Sequence, residues 1–199
     1  MARPRLFDED AALDAATDLF WERGYAATSV RDLCSVTGLG PPSLYNAFGD
    51  KQALFARCLD RYLDANPLAR VRRAETASPP RVALERFLTA VAERSILDNR
   101  GCLLVNTALE VAPHEPAIGS VVAERLAEIE VFFCRCVEAG QREGSISCER
   151  TPEDFARLLL AVVMGMRVLA RARPDAALLR GAVEQAISLL GAPSSEAKP

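Results

Sequence analysis

The sequence predicts an all-α protein, with a small N-terminal three-helix, helix-turn-helix head followed by a larger helical bundle. Two observations carry this. Apolar residues recur three and four apart throughout, and nowhere do they alternate long enough to argue a strand. Residues 24–55, GYAATSVRDLCSVTGLGPPSLYNAFGDKQALF, read as two short helices joined by a glycine-bearing turn. A chain of 199 residues that is 50% hydrophobic is long enough to bury a proper core.

The first helix is expected from about Asp8 to Arg23, with Leu13, Ala16, Leu19 and Phe20 facing inward. Thr28 and Ser29 are N-cap types before Val30, Leu33, Cys34 and Val36, so the second helix starts near Ser29 and ends at Gly38. Pro41 and Pro42 suit the first turn of the third, where a missing N–H loses no bond. Leu44 and Phe48 form its apolar face; Ser43, Tyr45 and Asn46 lie opposite, with groups suited to base edges and phosphate oxygens. Asp50 caps a fourth helix running from Lys51 to near Ala65, and Asn66-Pro67 breaks or bends it.

At these residues the chain resembles the TetR family of bacterial transcriptional regulators. Leu19-Phe20, Gly24-Tyr25, Thr28-Ser29-Val30, Ser43-Leu44-Tyr45, Phe48 and Lys51-Gln52-Ala53-Leu54-Phe55 fall at the family's spacing. The resemblance implies binding to a double-stranded DNA operator, with the third helix in the major groove. Tyr45 and Lys51 would hold phosphates, and Thr28 or Ser29 would present a helix N-terminus to a phosphate. Arg31, Pro42, Ser43 and Asn46 would face bases. Pro41 departs from the Lys, Arg or Gln of many members and offers no donor to a base.

Charge leaves an alternative open. Up to Lys51 the bases Arg3, Arg5, Arg23, Arg31 and Lys51 are outnumbered by Asp8, Glu9, Asp10, Asp14, Asp18, Glu22, Asp32 and Asp50. Such a head is no general basic patch, and a helical ligand-binding or scaffold protein whose head contacts another protein fits it too. Most of these acids sit on the first helix, while Arg3 and Arg5 precede it as an arm for a groove or phosphate.

Beyond the head, a fifth helix is expected from Arg81 to about Leu97, with Leu84, Phe87, Leu88 and Val91 inward. The next, Cys102 to Ala112, is apolar almost all round, which marks a buried element. Its exceptions, Cys102, Asn106 and Glu110, form one narrow polar stripe, either a satisfied internal network or a cavity wall. The run GCLLVNTALE with Pro113-His114-Glu115-Pro116 resembles a segment of some TetR-like regulators, extending the resemblance over most of the chain. Val122, Leu126, Ile129, Phe133 and Cys136 step by four and three, as do Phe155, Leu159, Val162, Met166 and Leu169. Leu179, Val183, Ile187 and Leu190 make a last apolar face. Thr151-Pro152-Glu153-Asp154 is a helix start, and Ala161 and Gly165 would admit a close helix.

The resemblance implies a homodimer through the last two long helices and a small-molecule effector that releases DNA. The effector pocket would draw on Tyr62, Phe87, Val91, Cys102, Asn106, Glu110, Phe133 and Met166. The expected domains are a DNA-binding head (1–50), a helical effector-binding and dimerisation domain (51–190) and a disordered tail (191–199). No cofactor is implied.

Other chemistry finds little support. Cys134 and Cys136 project about 200° apart on a helix and cannot clasp one metal, so no metal site is expected. With no phosphate-cradling glycine loop and one histidine, His114, in a Pro-bounded turn, no enzyme is expected. Cys102 reads either as inert core or as a thiolate favoured by a helix N-terminus and Arg100. The N-terminus lacks an apolar signal segment, and the longest apolar run, Leu158 to Met166, falls short of the ~20 residues of a membrane span. A cytoplasmic protein with no membrane partner is expected, its six cysteines reduced.

Overall fold

The computed structural model describes residues 7–65, 78–98 and 100–191. These hold nine helices and no strand: α1 (Glu9–Arg23), α2 (Val30–Thr37), α3 (Pro41–Phe48), α4 (Lys51–Ala65), α5 (Pro80–Leu97), α6 (Leu103–Glu110), α7 (Pro116–Arg142), α8 (Pro152–Ala172) and α9 (Ala176–Leu189). The all-α expectation holds. None of these helices is long and apolar enough to cross a membrane. Arg3, Arg5, the break at Asn66-Pro67 and the tail from residue 192 lie outside the described residues.

The helix boundaries follow local chemistry. Asp8 caps α1 by accepting from the Ala11 N–H at 3.1 Å. Ser29 and Asp32 form a reciprocal capping box on α2, and Gly38 closes that helix at φ 69°, a left-handed conformation that favours glycine. Asp50 accepts from the Ala53 N–H at 2.8 Å, as a cap for α4 should. The sixth helix is shorter than its pattern: it ends at Glu110 because the chain turns over Val111–His114 before Pro116 opens α7. Nor is α6 buried all round, since Leu109 is 67% exposed.

The chain divides into two compact units. One comprises the described parts of Met1–Asn66 together with Cys102–Ser120. The expected boundary at residue 50 therefore falls inside it. Its core is aromatic: Phe20 meets Phe55 edge-on at 5.0 Å, Tyr25 meets Phe55 at 4.9 Å, and Trp21 meets Tyr62 at 4.9 Å. Phe20 is wholly buried, and truncating such a ring costs about 3–5 kcal/mol.

The other unit takes α5, most of α7, α8 and α9. Phe87, Phe132 and Phe133 pack mutually at 5.1–5.4 Å. Leu84, Leu88, Val137, Phe155, Leu159 and Leu179 surround them. Phe132 and Val137 are buried beside the expected Phe133 and Cys136, so α7 turns a broader face inward than a single seam. Arg81 ties the ends together, donating to the carbonyls of Ser145, Ile187 and Gly191. One charged residue lies inside this core: Arg167 of α8, 2% exposed.

Candidate nucleic-acid interface

The α2–α3 pair is presented as a reader needs. Leu33, Leu44 and Phe48 are buried, which fixes both helices by their inner faces. Arg31, Pro42, Ser43, Tyr45 and Asn46 are all exposed, so the row expected on the outer face is there. Ser29 is exposed at the N-terminus of α2, with Asp32 bonded back to it at 3.0 Å. The Ser29 hydroxyl and N–H, with Arg23 and Arg31, hold the Asp32 carboxyl below its ordinary 3.8.

Thr28 differs from its expected role. It is 1% exposed and donates its hydroxyl to the Gly24 carbonyl at 2.7 Å, so it holds the turn before α2 and presents no side chain to a phosphate. Lys51 lies half-buried, its Nζ 4.3 Å from the centre of the Tyr25 ring, a cation–π distance. Partial burial lowers its pKa from the ordinary 10.5, while the Glu110 charge works to raise it.

Glu110 was expected on an effector pocket, yet it bonds to this head. Its Oε1 accepts from the Ala26 N–H at 2.6 Å and its Oε2 from the Tyr25 N–H at 3.3 Å. The carboxylate thereby satisfies two amides of the turn between α1 and α2. It approaches so closely that a Cβ on Gly24, already at φ 87°, would stand 2.6 Å from Oε2. In the first turn of α4, Gln52 donates to Glu115 at 2.9 Å. Sequence reasoning missed this clamp because residues 84 and 85 apart in the chain meet only through folding; the lone glutamate in an apolar helix was the available signal.

In the stripe that begins at Cys102, the thiol itself is buried. Tyr62 donates its hydroxyl to Cys102 Sγ at 3.5 Å, and Asn106 is likewise engaged. Tyr62, Cys102, Asn106 and Glu110 belong to the first unit, whereas Phe87, Val91, Phe133 and Met166 fill the core of the second, each at most 1% exposed. A groove along α1 and α4, lined by Leu13, Asp14, Arg57, Asp60, Arg61, Asp64 and Ala65, includes none of the eight.

Three acids of α1 are answered by α4. Arg57 binds Glu9 at 2.6 Å, and Arg61 binds Asp10 at 2.7 Å and takes both oxygens of Asp14. Exposed pairs of this kind contribute only about 0–1 kcal/mol each. Their effect is to neutralise Glu9, Asp10 and Asp14 locally.

Residues 12–58 match the family model of bacterial regulatory proteins of the tetR family, and residues 81–186 match that of the tetracyclin repressor-like C-terminal domain. The chain belongs to the TetR family. Among its relatives is the HTH-type transcriptional repressor ComR of Escherichia coli strain K12, 34% identical over 85% of this chain and 82% of that one. The HTH-type transcriptional regulator YezE of Bacillus subtilis strain 168 is 28% identical over 96% of this chain and its own full length. A solved TetR family regulator, a cysteine mutant of CifR complexed with a 26 bp double-strand operator DNA, is 31% identical. It superposes with a TM-score of 0.85 over 96% of this chain and all of its own. The first of these matches spans α2 and α3, and the chain is a transcriptional regulator of this family.

Proposed function

We propose that the chain is a homodimeric TetR repressor that binds a near-palindromic DNA operator and is released from it by a small-molecule effector. The observation that carries the reading is the outer face of α3. Pro42, Ser43, Tyr45 and Asn46 are exposed while Leu44 and Phe48 anchor the helix, with Ser29 and Lys51 at the flanking helix starts. Ser29 and Lys51 take the phosphate positions with Tyr45, and Arg31, Ser43 and Asn46 the base edges. Thr28 supports them by holding the turn. The names of ComR and of the operator-bound CifR support the same reading.

A second copy is supported by α8. Its inner face carries Phe155, Leu159, Val163 and Met166; its outer face carries Leu158, Ala161, Gly165 and Val168, spaced three, four and three. Leu158 and Val168 are 37% and 41% exposed, and a Cβ on Gly165 would meet nothing within 4 Å. A helix apolar on both faces needs a partner for each. Two heads so joined would address half-sites about 34–36 Å apart. An effector weakens this binding only by favouring the state that does not bind DNA, and DNA weakens the effector equally.

The test is retardation of genomic duplex fragments by the purified protein over a range of salt. The reading requires a selected palindrome and affinity that falls steeply with salt. Retardation of no fragment at low salt would transfer the head to a protein partner.

A further inference from the structure

Arg167 is the buried charge of the second unit, and the way it is bonded is specific. Its Nη1 donates to Ser95 Oγ at 3.2 Å, and Ser95, wholly buried, donates in turn to the Val91 carbonyl at 2.7 Å. Nε and Nη2, both buried, meet no acceptor among the described residues. These two donors form one edge of the guanidinium. Arg61 uses the same edge to hold Asp14, and Arg100 uses it to hold Asp98. It is the fork that fits the two oxygens of a carboxylate.

A guanidinium cannot shed its proton to escape burial, so an uncompensated edge is strongly unfavourable. The surroundings offer no relief. One turn either side on α8 stand Val163 and Ala170, 2% and 0% exposed. One turn before Ser95 on α5 stand Val91 and Ala92, 0% and 2% exposed. The C-terminal turn of α5 adds partial negative charge there but no acceptor to the fork. The end of α5 lies close to solvent: Leu97, two residues past Ser95, is 88% exposed. Arg171, one turn beyond Arg167, is exposed and donates to the Arg100 carbonyl at 3.2 Å, while Asp98 is occupied by Arg100. The field at that end draws anions.

The geometry points to an internal ligand site anchored by Arg167, taking a small organic monocarboxylate with an apolar body. One negative charge balances one guanidinium, two oxygens fill one fork, and the neighbours on α5 and α8 suit hydrocarbon. A phosphate dianion would demand more donors than Arg167 and Ser95 supply. The inference deepens the effector reading and rests on it only for the consequence at the operator; the site itself is tested without DNA.

The experiment is calorimetric titration and thermal unfolding of the full chain with acetate, butyrate, benzoate and octanoate, each beside its amide, and with inorganic phosphate. A carboxylate of the series binds and raises Tm by mass action, and its amide does not. Arg167→Lys keeps the charge, loses the fork and weakens that binding about tenfold or more. Arg167→Met abolishes it and melts no lower than the ligand-free wild type, a buried charge having been removed. The inference is overturned if no carboxylate shifts Tm at millimolar concentration or if acid and amide bind alike. Preferential binding of phosphate, or wild-type binding by Arg167→Lys, overturns it as well. Should Arg167→Met fail to fold, the lysine variant decides. A protein that binds carboxylate yet retards no duplex keeps the site and loses the repressor reading.

Discussion

Single side chains decide how the head is set and how it would grip. Lys51, poised over the Tyr25 ring, is the phosphate contact we propose. Replacing it with alanine is expected to weaken binding across all duplex sequences and to lower the slope of log affinity against log salt by about 1. Arg31→Ala is expected instead to relax sequence choice, at a cost of about 1–3 kcal/mol if it addresses a guanine. Competition with unrelated duplex separates the two effects. Glu110 acts differently, through the amides of Tyr25 and Ala26. Glu110→Ala leaves both N–H groups without their carboxylate, so the first unit should lose about 1–3 kcal/mol in denaturant unfolding and operator affinity should fall with it. Unchanged unfolding would show that water replaces the carboxylate at no cost. The thiols rank by access: Cys148 is exposed, Cys34 and Cys134 half-buried, and Cys58, Cys102 and Cys136 buried. Burial pushes the Cys58 thiol up to about 12. Timed alkylation read by mass spectrometry should label Cys148 first and Cys58 among the last. Early labelling of Cys102, which is buried under the Tyr62 hydroxyl, would revive its reading as a reactive thiolate.

At the scale of elements, α8 is the instructive case. The stepping of Phe155, Leu159, Val162, Met166 and Leu169 names an inner seam, but Val162 and Leu169 are only half-buried, and Ala156, Val163, Arg167 and Ala170 join Phe155, Leu159 and Met166 in the buried set. The opposite stripe, Leu158 to Val168, is the face we propose a second copy covers. A Cβ on Gly165 in that stripe would meet nothing within 4 Å among the described residues, so Gly165→Leu should leave the monomer folded and loosen the proposed dimer by about 1–3 kcal/mol through overpacking. Sedimentation at micromolar concentration checks this. Wild type is expected as a dimer and the variant shifted toward monomer, with weaker operator binding once two half-sites are no longer held by one body. A monomeric wild type would refute the pairing.

For the molecule as a whole, acid is the informative perturbation. The Arg61 guanidinium holds the Asp14 carboxyl below its ordinary 3.8, and the Arg100 guanidinium does the same for Asp98. A carboxylate with a lowered folded pKa contributes stability that is complete above its unfolded value and vanishes as pH falls through the lower, folded one. Melting temperature should therefore hold steady down to about pH 4 and drop below it. Asp14 is 62% exposed and solvent screens its pair, so Asp98, 24% exposed, should carry more of the effect. The melting temperature of Asp98→Asn should accordingly depend less on pH in that range than that of wild type. Equal acid sensitivity in the two proteins would remove Asp98 from the account.

Whatever depends on near neighbours along the chain was legible without the fold. Spacings of three and four set the helices, Asp8, Ser29, Asp50 and Thr151 set where they begin, and the order of residues from Gly24 to Phe55 marked the helix pair and the outward row of α3. Tertiary structure alone decided what depends on distant partners. It turned Thr28 inward, and it joined Lys51 to the first unit through Tyr25. It took Glu110 across 84 residues to the turn at Ala26, and it divided the eight expected effector residues between two cores. Arg167 belongs with these. In the sequence it only ends an apolar run, and its bare fork exists because α5 brings one hydroxyl, and no carboxylate, to meet it. Periodicity assigns a residue to a face of its own helix; what that face meets is settled by the packing of other helices, which no local pattern encodes.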